Sequence, residues 1–299
     1  MSAFSEMLAV PVPSEAETVQ QMDYVTYHLS LLPSAASTHD DDDNDDDDDA
    51  TASSSSSRRS SSSNSSSNSS RSSSSSIFEN CITLRESRWL YASAGATGYR
   101  TWEAGLHLGQ YLCSAPDVVR GKRVLELGTG TGYVSVLCAK YLGAAKVTAS
   151  DGAEGVLRGL ADTKSLNGLQ GSAAFVPTQV VWGDSSLAGA TTEEGDGGGC
   201  GEEVDVVLGS DVTYDTRAIP ALIATLGELF ALFPRVRVLL CTAERNVATL
   251  NALLGQCEGA GMAVRWVGFP TPGREEQRGP FYDTSVPIHI VEIRREVGS

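Results

Sequence analysis

Residues 124–132 read Val-Leu-Glu-Leu-Gly-Thr-Gly-Thr-Gly, so Gly128, Gly130 and Gly132 lie directly after an apolar run and directly before a segment with helical spacing. Glycine at such a junction lets a ligand approach the backbone closely and lets the chain turn into a helix N-terminus. Two residues before the first glycine, Glu126 places a carboxylate at the mouth of the loop. That group is awkward beside a pyrophosphate and well suited to a cation. A dinucleotide fingerprint, G-x-G-x-x-G, would also need its third glycine at position 133, where this chain has Tyr133.

The ligand chemistry that fits is a positively charged nucleoside without phosphate, and S-adenosylmethionine, with its sulfonium and ammonium, is such a compound. Asp151, at the end of the next apolar segment, stands where an acidic side chain accepts the ribose hydroxyls, although taken alone it reads equally well as a helix N-cap. Trp182-Gly183-Asp184 follows the third expected strand, where an adenine would lie. The indole offers a face for stacking and Asp184 an acceptor for the exocyclic amine; a core tryptophan is the competing explanation.

These residues need a scaffold, and from Ile77 onward apolar strands alternate with amphipathic helices in the manner of an α/β domain with a mainly parallel sheet. Spacing predicts helices over residues 101–112, 133–142, 219–233 and 247–259, and a further one ending at Asn167-Gly168. Strands are expected at 123–127, 146–150, 179–182, 204–209, 236–241, 263–267 and 286–293, with an exposed loop over 185–203. The last two strands have no helix between them, which points to an antiparallel pair closing a seven-stranded sheet.

Ahead of this domain, the chain divides into an N-terminal helical extension (1–36) and an Asp/Ser-rich stretch (37–76) expected to be disordered. Ser14 to Glu17 has capping-box spacing, and Val19, Met22, Val25, Leu29 and Leu32 follow at helical intervals. Nine aspartates occupy 40–49 with only Asn44 between them, and 53–76 is almost wholly serine; neither stretch can bury enough apolar surface to offset chain entropy. Removing those nine negatives from the net charge of −16 leaves −7 for the rest. A mildly acidic body without a basic stripe disfavours nucleic acid as partner and suits a lysine-bearing protein. The six cysteines are scattered, with no C-x-x-C pair and no His at ligand spacing, so they read as free thiols and imply no metal. Glu6 and Pro11 spoil the only apolar N-terminal stretch as a secretory leader, and no run approaches the roughly 20 apolar residues of a membrane span. A soluble, cytoplasmic monomer is the expectation.

Three segments together resemble the seven-strand protein-lysine methyltransferases of family 16: Gly98-Tyr-Arg-Thr-Trp102-Glu-Ala104, the Glu126 to Gly132 loop, and Asp211-Val-Thr-Tyr214 after the fourth strand. Within that family, Ile82-Thr-Leu-Arg85-Glu86-Ser87 and Gln277-Arg-Gly-Pro-Phe281-Tyr282 look most like the methyltransferases of translation elongation factor 2. The resemblance covers residues 77–295. It implies a Rossmann-like class I methyltransferase fold, S-adenosylmethionine as cofactor and elongation factor 2 as protein substrate. It also implies that Trp102 lies beside the cofactor, with Ser210 among the cofactor-binding residues, and that Asp211 and Tyr214 form part of a lysine channel and carry the catalytic roles.

The chemistry asks mainly for positioning, because the nucleophile is a neutral amine approaching in line with the departing sulfur. A free lysine has a pKa of about 10.4 and must shed a proton first. Asp211 would attract and orient the incoming group, and Tyr214 would wall it or bond to it; a loop cap and a packed aromatic are the plain alternatives. Among rival functions, adenine-N6 chemistry lacks its N/D-P-P-Y/F prolines, a dinucleotide oxidoreductase lacks both its third glycine and a Tyr-x-x-x-Lys set, and a non-catalytic scaffold would have shed the acidic and glycine residues that stand here.

Overall fold

A computed structural model describes residues 22–32, 80–87, 97–184 and 203–296. The acid and serine tracts and the loop expected over 185–203 lie outside the described residues, except for Glu203.

β1 (Asp23–His28) and β2 (Cys81–Glu86) form an antiparallel ribbon. The domain proper then runs α1 (Glu103–Ser114), β3 (Arg123–Leu127), α2 (Tyr133–Lys140), β4 (Lys146–Asp151), α3 (Glu154–Leu166), β5 (Phe175–Gln179), β6 (Val206–Ser210), α4 (Ile219–Leu232), β7 (Arg237–Ala243), α5 (Val247–Gly259), β8 (Met262–Val267) and β9 (Ile288–Arg295). Strand order in the seven-stranded sheet is β5-β4-β3-β6-β7-β9-β8. The first five neighbours pair in parallel, and β9 pairs antiparallel with both β7 and β8, as the two helixless strands at the end of the sequence led one to expect.

Helices cover both faces, so the central strands alternate between two cores. Val124 of β3 and Leu239 and Cys241 of β7 pack with Leu108 and Leu112 of α1 and with Tyr133 and Leu137 of α2. Leu125 and Leu127, with Val238 and Leu240, pack instead against Leu222, Leu226 and Leu229 of α4. A strand buried on both faces reads as a continuous apolar run, which is why β3, β6 and β7 stand out in the sequence. Among the described residues no helix is long and apolar enough to cross a membrane.

Two expectations are corrected. The helix predicted through Met22 to Leu32 is a strand over Asp23–His28; the part before residue 22 lies outside the described residues. Its sequence, Asp-Tyr-Val-Thr-Tyr-His, is rich in aromatic and β-branched residues that suit a pleated surface, and the partner strand β2 decides the outcome over a weak helical period. The third sheet strand lies at Phe175–Gln179, not at 179–182. Pro177 lies within this strand, which is possible because β5 is the sheet's edge and pairs only with β4, where a missing N–H is tolerated. Val180 to Trp182 therefore run off the carboxyl end of the sheet and become a wall of the site.

One amide makes two of the bonds that tie the ribbon to the domain. Asn167, the C-cap of α3, accepts from the Thr83 N–H at 3.0 Å and donates to the Thr83 carbonyl at 2.8 Å, so its side chain pairs with β2 as a neighbouring strand would. Asn167 is buried, and Asn167→Ala leaves both Thr83 groups without that partner, a loss of about 1–3 kcal/mol. Urea unfolding of this variant should show a lowered midpoint; a midpoint equal to wild type would mean the ribbon is anchored elsewhere.

Candidate active site

The carboxyl ends of β3, β4 and β6 open into one cavity of about 580 Å³, the place and size at which open α/β sheets take small ligands. Gly128 and Gly130, in the loop after β3, have φ of 65° and 53°. A side chain at Gly128 would sit 2.9 Å from Val212 Cγ1, and one at Gly130 would sit 3.2 Å from the Gly98 carbonyl oxygen, so the loop is closed to anything larger than hydrogen. Gly132 does something else. It precedes α2, and a Cβ there would lie 2.9 Å from Leu160 Cδ2, so its bareness lets α3 pack close; it is not part of the cavity wall.

Glu126 is 1 % exposed, and its Oε2 accepts from Thr129 Oγ1 at 2.7 Å and Ser135 Oγ at 2.5 Å. Burial pushes its carboxyl up to about 7 despite those two hydroxyls, which favour the ionised form. Asp151 faces the same cavity from the end of β4. Its Oδ2 accepts the Gly130 N–H at 3.2 Å and its Oδ1 the Ala153 N–H at 3.0 Å, so it fixes the glycine loop and the start of α3 together. Burial raises its carboxyl as well, with those backbone donors opposing. Trp182 lies against the loop, with ring carbons 3.5 and 3.9 Å from where a Gly128 Cβ would stand. Asp184 is exposed and outside the wall.

Across the cavity, Ser210 ends β6 and Asp211 begins the turn after it with φ of 54°, a left-handed conformation that Asp tolerates better than most residues. The Asp211 N–H donates to the Cys241 carbonyl at 2.8 Å, and Thr213 and Thr242 hydroxyls meet at 2.8 Å, which pins the Asp-Val-Thr-Tyr segment to β7. Asp211 is 7 % exposed; burial raises its carboxyl and Arg245, at 2.7 Å from Oδ2, opposes that. Tyr214 is exposed at the rim, its hydroxyl 3.3 Å from Thr97 Oγ1. Trp102 caps the N-terminus of α1 and donates from Nε1 to the Thr97 carbonyl at 2.9 Å, holding the 97–101 strap against the cavity.

Nine of the eleven residues expected at the site thus share one cavity wall, Gly132 and Asp184 being the two that do not. Sequence reading missed Thr129, Ser135, Glu103 and Arg245. The first two were legible as hydroxyls three and nine residues after Glu126, one in the glycine loop and one in the first turn of α2. Glu103 and Arg245 meet only through the fold, Arg245 lying 142 residues beyond Glu103.

A strand-glycine-helix junction with a buried carboxylate beneath it and a second carboxylate at the next strand's end fits the donor needs of a phosphate-free cationic nucleoside, and this fold and site define an S-adenosylmethionine-dependent methyltransferase. The model of the lysine methyltransferase family matches residues 89–253, and the chain belongs to that family as a protein-lysine N-methyltransferase. It is 44 % identical over 99 % of its length to a protein-lysine N-methyltransferase, EFM3, of Chaetomium thermophilum, covering 74 % of that protein. It is 30 % identical over 60 % of its length to the Saccharomyces cerevisiae EFM3 and 30 % identical over 66 % to human protein-lysine N-methyltransferase EEF2KMT, covering 54 % and 59 % of those proteins.

Glu126 gives the cofactor-free protein a pH signature. Between its ordinary value of 4.5 and about 7, the unfolded chain has released the proton that the folded protein still holds, so this group lowers stability as pH climbs through that window, fully so above it. Glu126→Gln removes the effect. Thermal midpoints from pH 4.5 to 8 should fall less steeply for the variant than for wild type, and parallel curves would show that Glu126 is ionised throughout.

Proposed function

We propose that this enzyme methylates a lysine of translation elongation factor 2, acting in the cytoplasm as a monomer on a protein and not on nucleic acid. Supporting the choice of substrate are the segments around Arg85 and Phe281 that look like the elongation factor 2 methyltransferases, and the relationship to EEF2KMT. The single observation that carries the chemistry is that Asp211 and Tyr214 line the same cavity as Glu126 and Asp151, so an acceptor amine and the cofactor meet inside one chamber.

In this reading Glu126 receives the cofactor's cationic end, Asp151 its ribose hydroxyls and Trp182 its base, while Gly128 and Gly130 let it lie on the loop. Trp102 and Ser210 complete the wall. Bound there, S-adenosylmethionine would supply an electrophilic methyl carbon for the neutral lysine nitrogen, its sulfonium sulfur being able to keep the carbon–sulfur electron pair. The lysine proton leaves to solvent before attack. Asp211 accepts an amine N–H and so aims the nitrogen lone pair, and the Tyr214 ring at the rim forms one wall of the approach; the work of these residues is orientation.

Asp211→Ala is expected to reduce turnover on elongation factor 2 by roughly a hundredfold or more while calorimetry shows nearly unchanged S-adenosylmethionine affinity. A variant with normal turnover would remove Asp211 from the mechanism. Mass spectrometry of elongation factor 2 from cells lacking the protein should reveal one lysine that has lost its methyl groups, and an unaltered spectrum would point to a different substrate.

A further inference from the structure

The acceptor end of the cavity holds a charge balance that the mechanism above leaves unused. Arg245, just past β7, donates from Nη1 to Asp211 Oδ2 at 2.7 Å and from Nη2 to Glu103 Oε2 at 2.6 Å. Its guanidinium lies 5.2 Å from the centre of the Trp102 ring, and that of Arg100 lies 5.0 Å from the same ring and 3.4 Å from Glu103 Oε1. Two carboxylates and two guanidiniums therefore form one chain of ion pairs, balanced in formal charge, whose cations lie over the Trp102 ring. The remaining titratable groups around Asp211 are the buried Cys241 thiol on β7, which burial keeps protonated, and Tyr214 at the rim; Glu126 and Asp151 stand on the cofactor side.

A lysine arrives as an ammonium, which has no lone pair and does not attack a methyl group. An isolated carboxylate in a desolvated channel would hold it in that form, since an opposite charge within about 4–6 Å favours the charged state by roughly one to three pH units. Asp211 is not isolated. With its side chain 6 % exposed, it already has a cation in contact, yet a carboxylate has about four acceptor positions and retains room for an amine N–H. We propose that Arg245 is a positioning residue for methyl transfer: by offsetting Asp211 it makes the acceptor end a host for the uncharged lysine amine instead of the ammonium. This rests on the reading of Asp211 as the lysine-facing group.

The test is single-turnover methylation of unmethylated elongation factor 2 across pH 6.5–10. For Arg245→Gln, the rising limb of the rate profile should move up by about one to two pH units, so that the rate at pH 7.5 drops about tenfold or more and recovers near pH 10, with KM at pH 7.5 no higher than wild type. Arg245→Lys keeps the cation and should keep the limb. Glu103→Gln removes one negative charge while leaving Arg245 in place, and its limb should move down, which supplies an independent arm if Arg245→Gln fails to bind cofactor by calorimetry. A rate loss equal at every pH, a stationary limb in Arg245→Gln or Glu103→Gln, or a displaced limb in Arg245→Lys would overturn the proposal. Normal turnover in Asp211→Asn would instead sink the assignment of Asp211 beneath it.

Discussion

Burying carboxylates at the carboxyl edge of a parallel sheet costs free energy unless a cation or a set of donors meets them, and this protein does it three times in one cavity. Glu126, Asp151 and Asp211 are all raised by desolvation, but they are met differently. Asp211 has a guanidinium in contact. Glu126 has two hydroxyls and a Ser135 backbone N–H, and Asp151 mainly backbone N–H groups, so neither has a cation in contact, which suits the proposed ligand that brings positive charge and hydroxyls with it. In the proposed reading this difference separates a cofactor side from an acceptor side within a single chamber.

The rest of the fold serves to hold that edge still. Thr101 donates to Glu86 Oε1 at 2.5 Å and receives from Thr131 at 2.6 Å, and Tyr27 donates to the same carboxylate at 3.0 Å. Through these bonds the N-terminal ribbon grips the glycine loop from outside the sheet, and the Tyr27 ring meets Tyr133 edge-on at 5.4 Å. From the opposite direction, β7 fixes the turn after β6 through Cys241 and Thr242. The cavity is therefore framed by elements far apart in sequence, and the strap over residues 97–101 closes on it by the Trp102–Thr97 bond.

What could be read from the sequence follows from how local each signal is. β3, its glycine loop and α2 are contiguous, so Glu126, Gly128 and Gly130 were legible along with the direction of the chain. The α5 boundaries match the expected 247–259, and Asn246 caps the helix with its own side chain, accepting from Ala248 N–H at 2.9 Å. β1 was not, because its partner lies more than fifty residues away and decides its conformation. β5 lies a few residues ahead of the expected 179–182, and its edge position is what lets the strand include Pro177. Gly132 had the right spacing for a ligand loop and a packing duty against Leu160, a distinction that needs the third dimension. Arg245 left no local trace, since an arginine four residues past an apolar strand is unremarkable until Asp211 and Glu103 are folded onto it.

The central claim is that a buried, partly protonated Glu126 becomes a full carboxylate when the cofactor's positive charge arrives. Titrating the protein with S-adenosylmethionine by calorimetry at pH 6.5, in buffers of different ionisation enthalpy, counts the protons exchanged on binding. Release of a fraction of a proton by wild type, lost in Glu126→Gln, is the expected outcome. Binding with no dependence on buffer, or the same release from both proteins, would show that Glu126 does not face the cofactor's charge.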